Sequence, residues 1–198
     1  MTLPRVTEIL SVIADPDWDA FKASVGEDRF RAVLSNAADR GTAFHKLVEN
    51  YLNGLIDRSD LPAIYEKNHD FGMNLEAFMS WADEKIVRVI ATEERLEHKL
   101  GFTGMPDIVV EMKGKRFAML DVKYVSVLSA KAAYQTAAYM KMAEETYKIK
   151  ITYRAALQFG KTAMKVTQYK DHATDWGVFL SAFNIYNAYS KRRKHGKK

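Results

Sequence analysis

The sequence predicts a mixed α/β fold, in which a central mixed β-sheet is flanked by helices and preceded by a mainly helical N-terminal segment. Up to about residue 85, apolar residues recur at the three- and four-residue spacing of helices. From residue 86 the pattern changes to the alternation and short apolar runs that are typical of strands. Two further helical stretches are predicted, one between strands at residues 129–148 and one after the last strand at residues 171–190. Elements interleaved in this way pack as layers around one sheet.

In the N-terminal part, residues 3–10 predict a short helix or an extended arm, and Asp15-Pro16-Asp17 predicts a turn before a second helix. Residues 27–54 predict a longer helix, in which Gly41 indicates a kink or a break and Gly54 a C-terminal end. Its buried face is expected to carry Phe44, Leu47, Val48, Tyr51 and Leu52. A further helix is predicted at residues 70–86.

The second part is predicted to run as three strands, a helix, two strands and a helix. Residues 108–112 and 116–125 predict a hairpin that turns at Lys113-Gly114-Lys115. Ser129 is a candidate N-cap for the helix that follows. Residues 149–160 and 162–170 predict two more strands, and the apolar stripe of the last helix is expected in the core.

The length of 198 residues predicts one domain over residues 1–190, with a mainly helical part at 1–85 and the sheet core and last helix at 86–190. The sequence shows neither an apolar run of membrane-spanning length nor a secretory pattern at its start. We therefore expect a cytoplasmic protein, or one of the nucleoid or host cytoplasm if its source is viral. The chain has no cysteine, which excludes disulfides and an iron–sulfur cluster.

The positive charge is concentrated at the C-terminus. The formal net charge is +5, and residues 191–198, KRRKHGKK, contain six Lys or Arg and no acid, so the remainder is close to neutral. A basic tail of this kind attracts polyanions, of which DNA and RNA are the usual ones. A solvated end that aids solubility has the same composition, and charge alone does not separate the two.

Three charged residues interrupt the apolar hairpin. Centring the turn on Gly114 places Asp107 opposite Asp121, and Lys123 then shares a face with Asp121. Two carboxylates facing each other in a sheet repel, and unpaired charge there is costly. Asp107 could simply cap a turn after Pro106, with Asp121 and Lys123 paired to other groups. Alternatively, the acids hold a divalent cation, and their hard oxygen ligands favour Mg²⁺ or Mn²⁺.

These residues resemble the motifs of the PD-(D/E)XK nuclease superfamily. Gly104, Pro106-Asp107 and Asp121-Val122-Lys123 match G-x-PD and D-x-K. QTAAY, residues 135–139, resembles the Q-x-x-x-Y helix of the RecB-type exonuclease group, and residues 41–49 resemble its G-T-x-x-H-x-x-x-E segment. The start, LPRVTEIL, is similar to that of a subgroup of mitochondrial genome-maintenance and phage exonucleases, although Arg5 stands where serine is common.

The resemblance implies a restriction-endonuclease-like core and a role for each matched residue. The metal ligands would be His45, Asp107, Asp121 and the backbone carbonyl of Val122, with one or two Mg²⁺ or Mn²⁺ ions. Lys123 would orient the attacking water and complete the catalytic set with Asp107 and Asp121. An acid before G-x-PD often completes such a site, and the family pattern favours Glu93 over Glu94. Residues expected to support the site or hold the substrate are Thr42, Glu49, Gln135 and Tyr139.

The activity implied is a metal-dependent DNA exonuclease that prefers single-stranded DNA with a free end. Its context would be DNA replication, recombination or repair, in phage or in a cell, with a replication or recombination protein as a further partner. Phe102, Tyr124 and Tyr134 could stack on bases, although each could equally belong to the core. Two alternatives remain open: a structure-specific endonuclease or resolvase on the same fold, and an inactive protein that binds DNA or recruits partners.

Overall fold

The computed structural model of the protein describes residues 2–161 and 164–195, with Asp17 and residues 191–195 described by their backbone only. The predicted basic tail therefore lies outside the described side chains. The described helices are α1 Val6–Leu10, α2 Pro16–Val25, α3 Glu27–Leu52, α4 Leu61–Lys67, α5 His69–Lys85, α6 Lys131–Tyr147 and α7 His172–His195, with a 3₁₀ turn at Arg58–Asp60. The described strands are β1 Ile86–Thr92, β2 Leu96–His98, β3 Phe102–Gly104, β4 Ile108–Met112, β5 Arg116–Tyr124, β6 Ile151–Phe159 and β7 Lys165–Gln168.

Five strands form one mixed sheet in the order β1-β4-β5-β6-β7. The β5–β6 pair is parallel and the other three pairs are antiparallel. A parallel pair needs a crossover, and α6 supplies it. Strands β2 and β3 form a separate two-stranded sheet. The predicted class, a mixed sheet flanked by helices after an N-terminal helical segment, is confirmed.

The central hairpin has the register that its sequence predicts. Ile108 pairs with Leu120 and Met112 with Arg116, so the pairing is centred on Gly114. Gly114 has φ 83°, a conformation that glycine adopts without steric cost. One further step along this register brings Asp107, the residue before β4, opposite Asp121.

The two faces of β5 belong to different apolar clusters, because successive side chains point to opposite sides of a sheet. Leu120 and Val122 pack on the α3 and α5 side with Phe44 and Phe78. Met119 packs on the other side, with residues of α1, α6 and α7. Asp121 and Lys123 share the face of Met119, so both charged groups point towards α6.

Several local expectations were wrong. Helix α3 is unbroken across Gly41, because a glycine within a helix weakens it without ending it. Five strands, rather than three, precede α6, since residues 86–104 divide into β1 and the small β2–β3 hairpin. The residue flanking α6 is Ala130, not Ser129, although the Ser129 hydroxyl accepts the Lys131 N–H at 3.3 Å. Helix α4 and the 3₁₀ turn were not predicted.

Among the described residues, no helix combines the length and the apolar character needed to cross a bilayer. Phe102 is fully buried and packs against His98, Phe179 and Phe183, so it belongs to the core and is not free to stack on a base. Tyr124 is half-buried, and its ring contacts Phe44 and Phe71.

Candidate metal-dependent active site

The predicted site residues reach one place from four separate elements. His45 lies in the second half of α3, Glu93 directly follows β1, Asp107 directly precedes β4, and Asp121 and Lys123 lie near the end of β5. Because β1, β4 and β5 are neighbours in the sheet, the ends of these strands are adjacent in space. Helix α3 covers this end of the sheet and carries the imidazole to it.

Three of these side chains form a cluster that could hold a metal ion. One potential ligand atom from each of His45, Glu93 and Asp107 lies within 4.8 Å of the other two. His45 Nδ1 is 3.2 Å from Glu93 Oε1 and 3.7 Å from Asp107 Oδ2. All three side chains are at least half-buried, with Asp107 the least exposed. One nitrogen and two carboxylate ligands suit a divalent cation.

The backbone at Glu93 explains why this acid, rather than Glu94, joins the cluster. Strand β1 ends at Thr92, and Glu93 has φ 48°, in the left-handed region. Its N–H donates to the Asp107 carbonyl at 3.1 Å, which holds the two residues together. The alternation of side chains along β1 therefore stops before Glu93. Glu94 lies elsewhere and accepts a hydrogen bond from the Tyr147 hydroxyl at 2.8 Å.

Asp107 also extends the hairpin ladder. Its Oδ2 accepts the Val122 N–H at 2.6 Å, in the place where a backbone carbonyl of a longer β4 would accept. The carboxylate is thereby fixed in orientation. The contact observed at Val122 is made by its N–H, and the role predicted for its carbonyl remains a prediction.

Asp121 is fully buried and is ion-paired with Lys123, whose Nζ lies 2.9 Å from both carboxylate oxygens. The hydrogen-bond geometry is satisfied at Oδ1. Among the described residues, no group donates a hydrogen bond to the buried Oδ2. The Lys123 ammonium lies against this oxygen as well, so Asp121 is already neutralised by an ion pair. The fit to a divalent cation therefore comes from the donor set of His45, Glu93 and Asp107, one nitrogen and two carboxylates, and Asp121 stands outside that cluster.

The electrostatics show strong coupling between these groups. Burial, and then the charge of Asp121, raise the pKa of Asp107 to about 7. Burial alone would lower the pKa of His45, but the hydrogen bond to Glu93 and the charge of Asp107 raise it above its usual value. Burial also opposes the charged form of Lys123, yet the charges of Asp121 and Asp107 raise the pKa of this amine. Mutual dependence of this kind is typical of functional sites.

Gln135 and Tyr139 lie one turn apart on α6, and Gln135 Nε2 donates to the Tyr139 hydroxyl at 3.1 Å. Burial raises the pKa of Tyr139 to about 12, and the charges of Asp107 and Asp121 act in the same direction. The Tyr139 ring packs directly over Gly104, where a Cβ would lie 2.5 Å from it. The glycine of G-x-PD thus leaves room for the tyrosine of Q-x-x-x-Y.

The other two predicted support residues make no contact with the cluster among the described hydrogen bonds. Glu49 pairs with Lys46 at 2.8 Å on the surface of α3. Thr42 is exposed on the same helix. Their roles remain predictions. Arg154 and Tyr169, on the α6 side of the sheet, were not predicted from the sequence. A lone arginine within the apolar run of β6 was the available signal.

Comparisons with known proteins give distant structural likenesses only. No protein-family model and no curated protein sequence matches this chain. The crystal structure of SSO0001 is similar with a TM-score of 0.45 and 10% sequence identity, over 91% of this chain and 75% of that one. An alkaline exonuclease from Laribacter hongkongensis, LHK-Exo, is similar with a TM-score of 0.37 and 14% identity, over 62% and 71%. At such scores neither likeness carries an argument about function.

We expect the buried acids to destabilise the metal-free protein at high pH. Because the pKa of Asp107 is raised, the folded state binds the carboxyl proton more tightly than the unfolded state does. The protonated carboxyl therefore contributes its full share of the free energy of unfolding below about pH 4, and this contribution is lost as pH rises through about 7. With a chelator present, Asp107→Asn should therefore raise the melting temperature at pH 8 by roughly 5–10 °C and have a much smaller effect at pH 5.

Thermal unfolding of both proteins across this pH range measures the effect. Asp39→Asn, at an exposed position of α3, is the matched control and should follow the wild type. Parallel pH curves for Asp107→Asn and the wild type would contradict the assigned repulsion. Added Mg²⁺ should stabilise the wild type far more than Asp107→Asn.

Proposed function

We propose that the protein is a Mg²⁺- or Mn²⁺-dependent deoxyribonuclease that hydrolyses phosphodiester bonds as an exonuclease. The observation that carries the proposal is the meeting of His45, Glu93 and Asp107 beside the buried Asp121–Lys123 pair. Metal-dependent hydrolysis of an anionic backbone needs both a cation held by acids and a positively charged group beside it. The chain brings these together from α3, β1, β4 and β5.

We assign His45, Glu93, Asp107 and Asp121 as the residues that would hold the divalent cation. When bound, the cation would polarise a phosphoryl oxygen and stabilise the leaving oxygen. The Glu93 carboxylate fixes the His45 ring by a hydrogen bond at Nδ1, and Nδ1 is also the ring nitrogen that faces Asp107, at 3.7 Å. The Val122 N–H fixes Asp107 in the same way. The ligands are therefore oriented before substrate binds, which lowers the cost of assembling the site.

Lys123 acts on the attacking water and on the charge of the substrate in this proposal. Its ammonium is held by Asp121, so it enters the reaction as a cation. It would orient the water and neutralise the negative charge that develops at phosphorus. The Gln135–Tyr139 pair lies next to these groups and would hold the DNA backbone by donated hydrogen bonds.

Two further parts of the proposal are supported by the sequence motifs rather than by contacts between side chains in the structure. They are the preference for single-stranded DNA with a free end and the role in replication, recombination or repair. G-T-x-x-H, G-x-PD, D-x-K and Q-x-x-x-Y occur in this order along the chain. A replication or recombination protein would deliver such ends.

Digestion of end-labelled DNA tests the function directly. Linear and covalently closed single strands of equal length are incubated with Mg²⁺, with Mn²⁺ or with a chelator. We expect mononucleotides or short products from the linear strand only, and no product with the chelator. Cleavage of the closed circle would assign an endonuclease, and binding without any metal-dependent cleavage would assign an inactive DNA-binding protein.

A further inference from the structure

A surface cavity of about 420 Å³ lies on the α6 side of the sheet, between the β5–α6 loop and the last two strands. The loop residues 126–130 form one wall. Strands β6 and β7 and the residue after β7 form the other wall, which consists of Gln158, Lys165, Thr167 and Tyr169. This volume lies in the range of sites for small organic ligands.

Strand register places the cavity beside the candidate active site. Lys123 of β5 is in register with Gln158 of β6, and Gln158 is in register with Lys165 of β7. The three residues form one row across the same face of the sheet. With neighbouring strands about 4.8 Å apart, Lys165 stands about 10 Å from Lys123 at the backbone. A single DNA strand that is bound with one phosphodiester at Lys123 can therefore reach Lys165 with its adjoining nucleotide.

The wall nearest the active site is held in shape by Gln158. Its Nε2 donates to the carbonyls of Val125 and Ser126, at 3.1 and 3.0 Å, and so fixes the loop where it leaves β5. Ser129, at the other end of the loop, donates to Asp15 Oδ2 at 3.0 Å. The negative charge of Asp15 disfavours a phosphate at that end of the cavity, so an uncharged part of a ligand would bind there.

The opposite wall offers a cation and an aromatic ring. Among the described residues, no carboxylate lies in ion-pair contact with Lys165, which is exposed. Tyr169 is half-buried, with the guanidinium of Arg154 over its ring at 5.4 Å.

We propose that this cavity is the binding subsite for the nucleotide next to the phosphodiester that is cleaved, with Lys165 contacting its phosphate and Tyr169 and the apolar loop residues Val127 and Leu128 contacting its sugar or base. The inference rests on the proposed function for the identity of the ligand. Lysine contacts to phosphate and ring contacts to bases are the two ordinary means of holding a single strand without reading its sequence.

Equilibrium binding of a fluorescent single-stranded oligonucleotide tests the subsite. Ca²⁺ replaces Mg²⁺, and a gel verifies that the strand stays intact. We expect Lys165→Ala to weaken binding about fivefold or more and to reduce the slope of log K against log salt by about 0.7, the value for one phosphate contact on a single strand. Lys165→Arg should restore most of the affinity and slope, because it restores the charge.

Lys113→Ala is the matched control, since Lys113 is an exposed lysine in the turn at the opposite end of β5. It should bind as the wild type does. Equal affinity and equal salt slope for Lys165→Ala and Lys113→Ala would overturn the subsite, as would a wild type that does not bind the strand. Cleavage is scored separately with Mg²⁺. Binding that depends on Lys165, without any cleavage, would support the subsite and contradict the proposed function. Cleavage together with binding that does not depend on Lys165 would support the proposed function and contradict the subsite.

Discussion

Replacing Asp121 with asparagine is expected to lower the rate of Mg²⁺-dependent DNA cleavage by about a thousandfold or more, with binding of single-stranded DNA retained. Asparagine has the same shape, but it lacks the charge that pairs with Lys123. Its amide also places an N–H donor where one of the carboxylate oxygens faces the Lys123 ammonium. A donor there repels a cation, and metal-dependent stabilisation is worth several kcal/mol in such reactions.

Single-turnover cleavage of a labelled strand measures the loss, and oligonucleotide binding in Ca²⁺ measures what is retained. Asp83→Asn is the matched control, since Asp83 is an exposed acid on α5 that contacts Arg58. That variant should cleave at the rate of the wild type. Cleavage by Asp121→Asn at the wild-type rate would exclude this site as the catalytic centre.

Replacing Arg154 with methionine is expected to cost roughly 3–5 kcal/mol of the free energy of unfolding. Arg154 is fully buried in β6 and links two helices to the sheet. It donates to the Ala133 carbonyl and to Thr136 Oγ1 in α6, and to the Asp175 carboxylate in α7. Methionine fills similar space but leaves these acceptors without their donor, and a buried acid without its partner is strongly destabilising.

Denaturant unfolding followed by circular dichroism measures the cost. Arg88→Met is the control, because Arg88 pairs with Glu111 at 3.2 Å on the surface and such pairs contribute about 1 kcal/mol or less. The double variant Arg154→Met with Asp175→Leu should recover part of the stability, since it removes the acid that was left unpaired. A cost no larger than that of Arg88→Met would show that the guanidinium does not hold these helices in place.

The hairpin that carries the acids could be predicted because neighbouring residues in the sequence determine its turn and its pairing. Gly114 fixed the centre of the turn, and the period of two along each strand then placed Asp121 and Lys123 on one face. The meeting of Asp107 with Asp121 follows from the same register. The position of His45 beside these acids could not be derived from spacing, because it depends on how α3 packs on the sheet. Only the resemblance to the nuclease motifs indicated it.

The features that were missed depend on contacts between distant segments or on unusual backbone. Glu93 and Glu94 could not be separated by alternation, because the strand ends one residue before them. Arg154 gave no local indication of its partners, which lie on two helices that follow different strands. Helix α4 and its 3₁₀ turn occupy a segment with little periodicity. In each case tertiary packing decides the outcome, and single-sequence patterns do not report it.

At Glu93, the left-handed backbone is strained, while the side chain makes the hydrogen bond that orients His45. A residue with a Cβ carries steric strain at φ 48°, of the order of 1 kcal/mol or more, which glycine would relieve. Glycine, however, would leave the His45 imidazole without the oxygen that orients it. Glycine at this position would thus relieve the backbone and release the imidazole at once, so the Glu93 carboxylate orients His45 at the expense of local backbone strain.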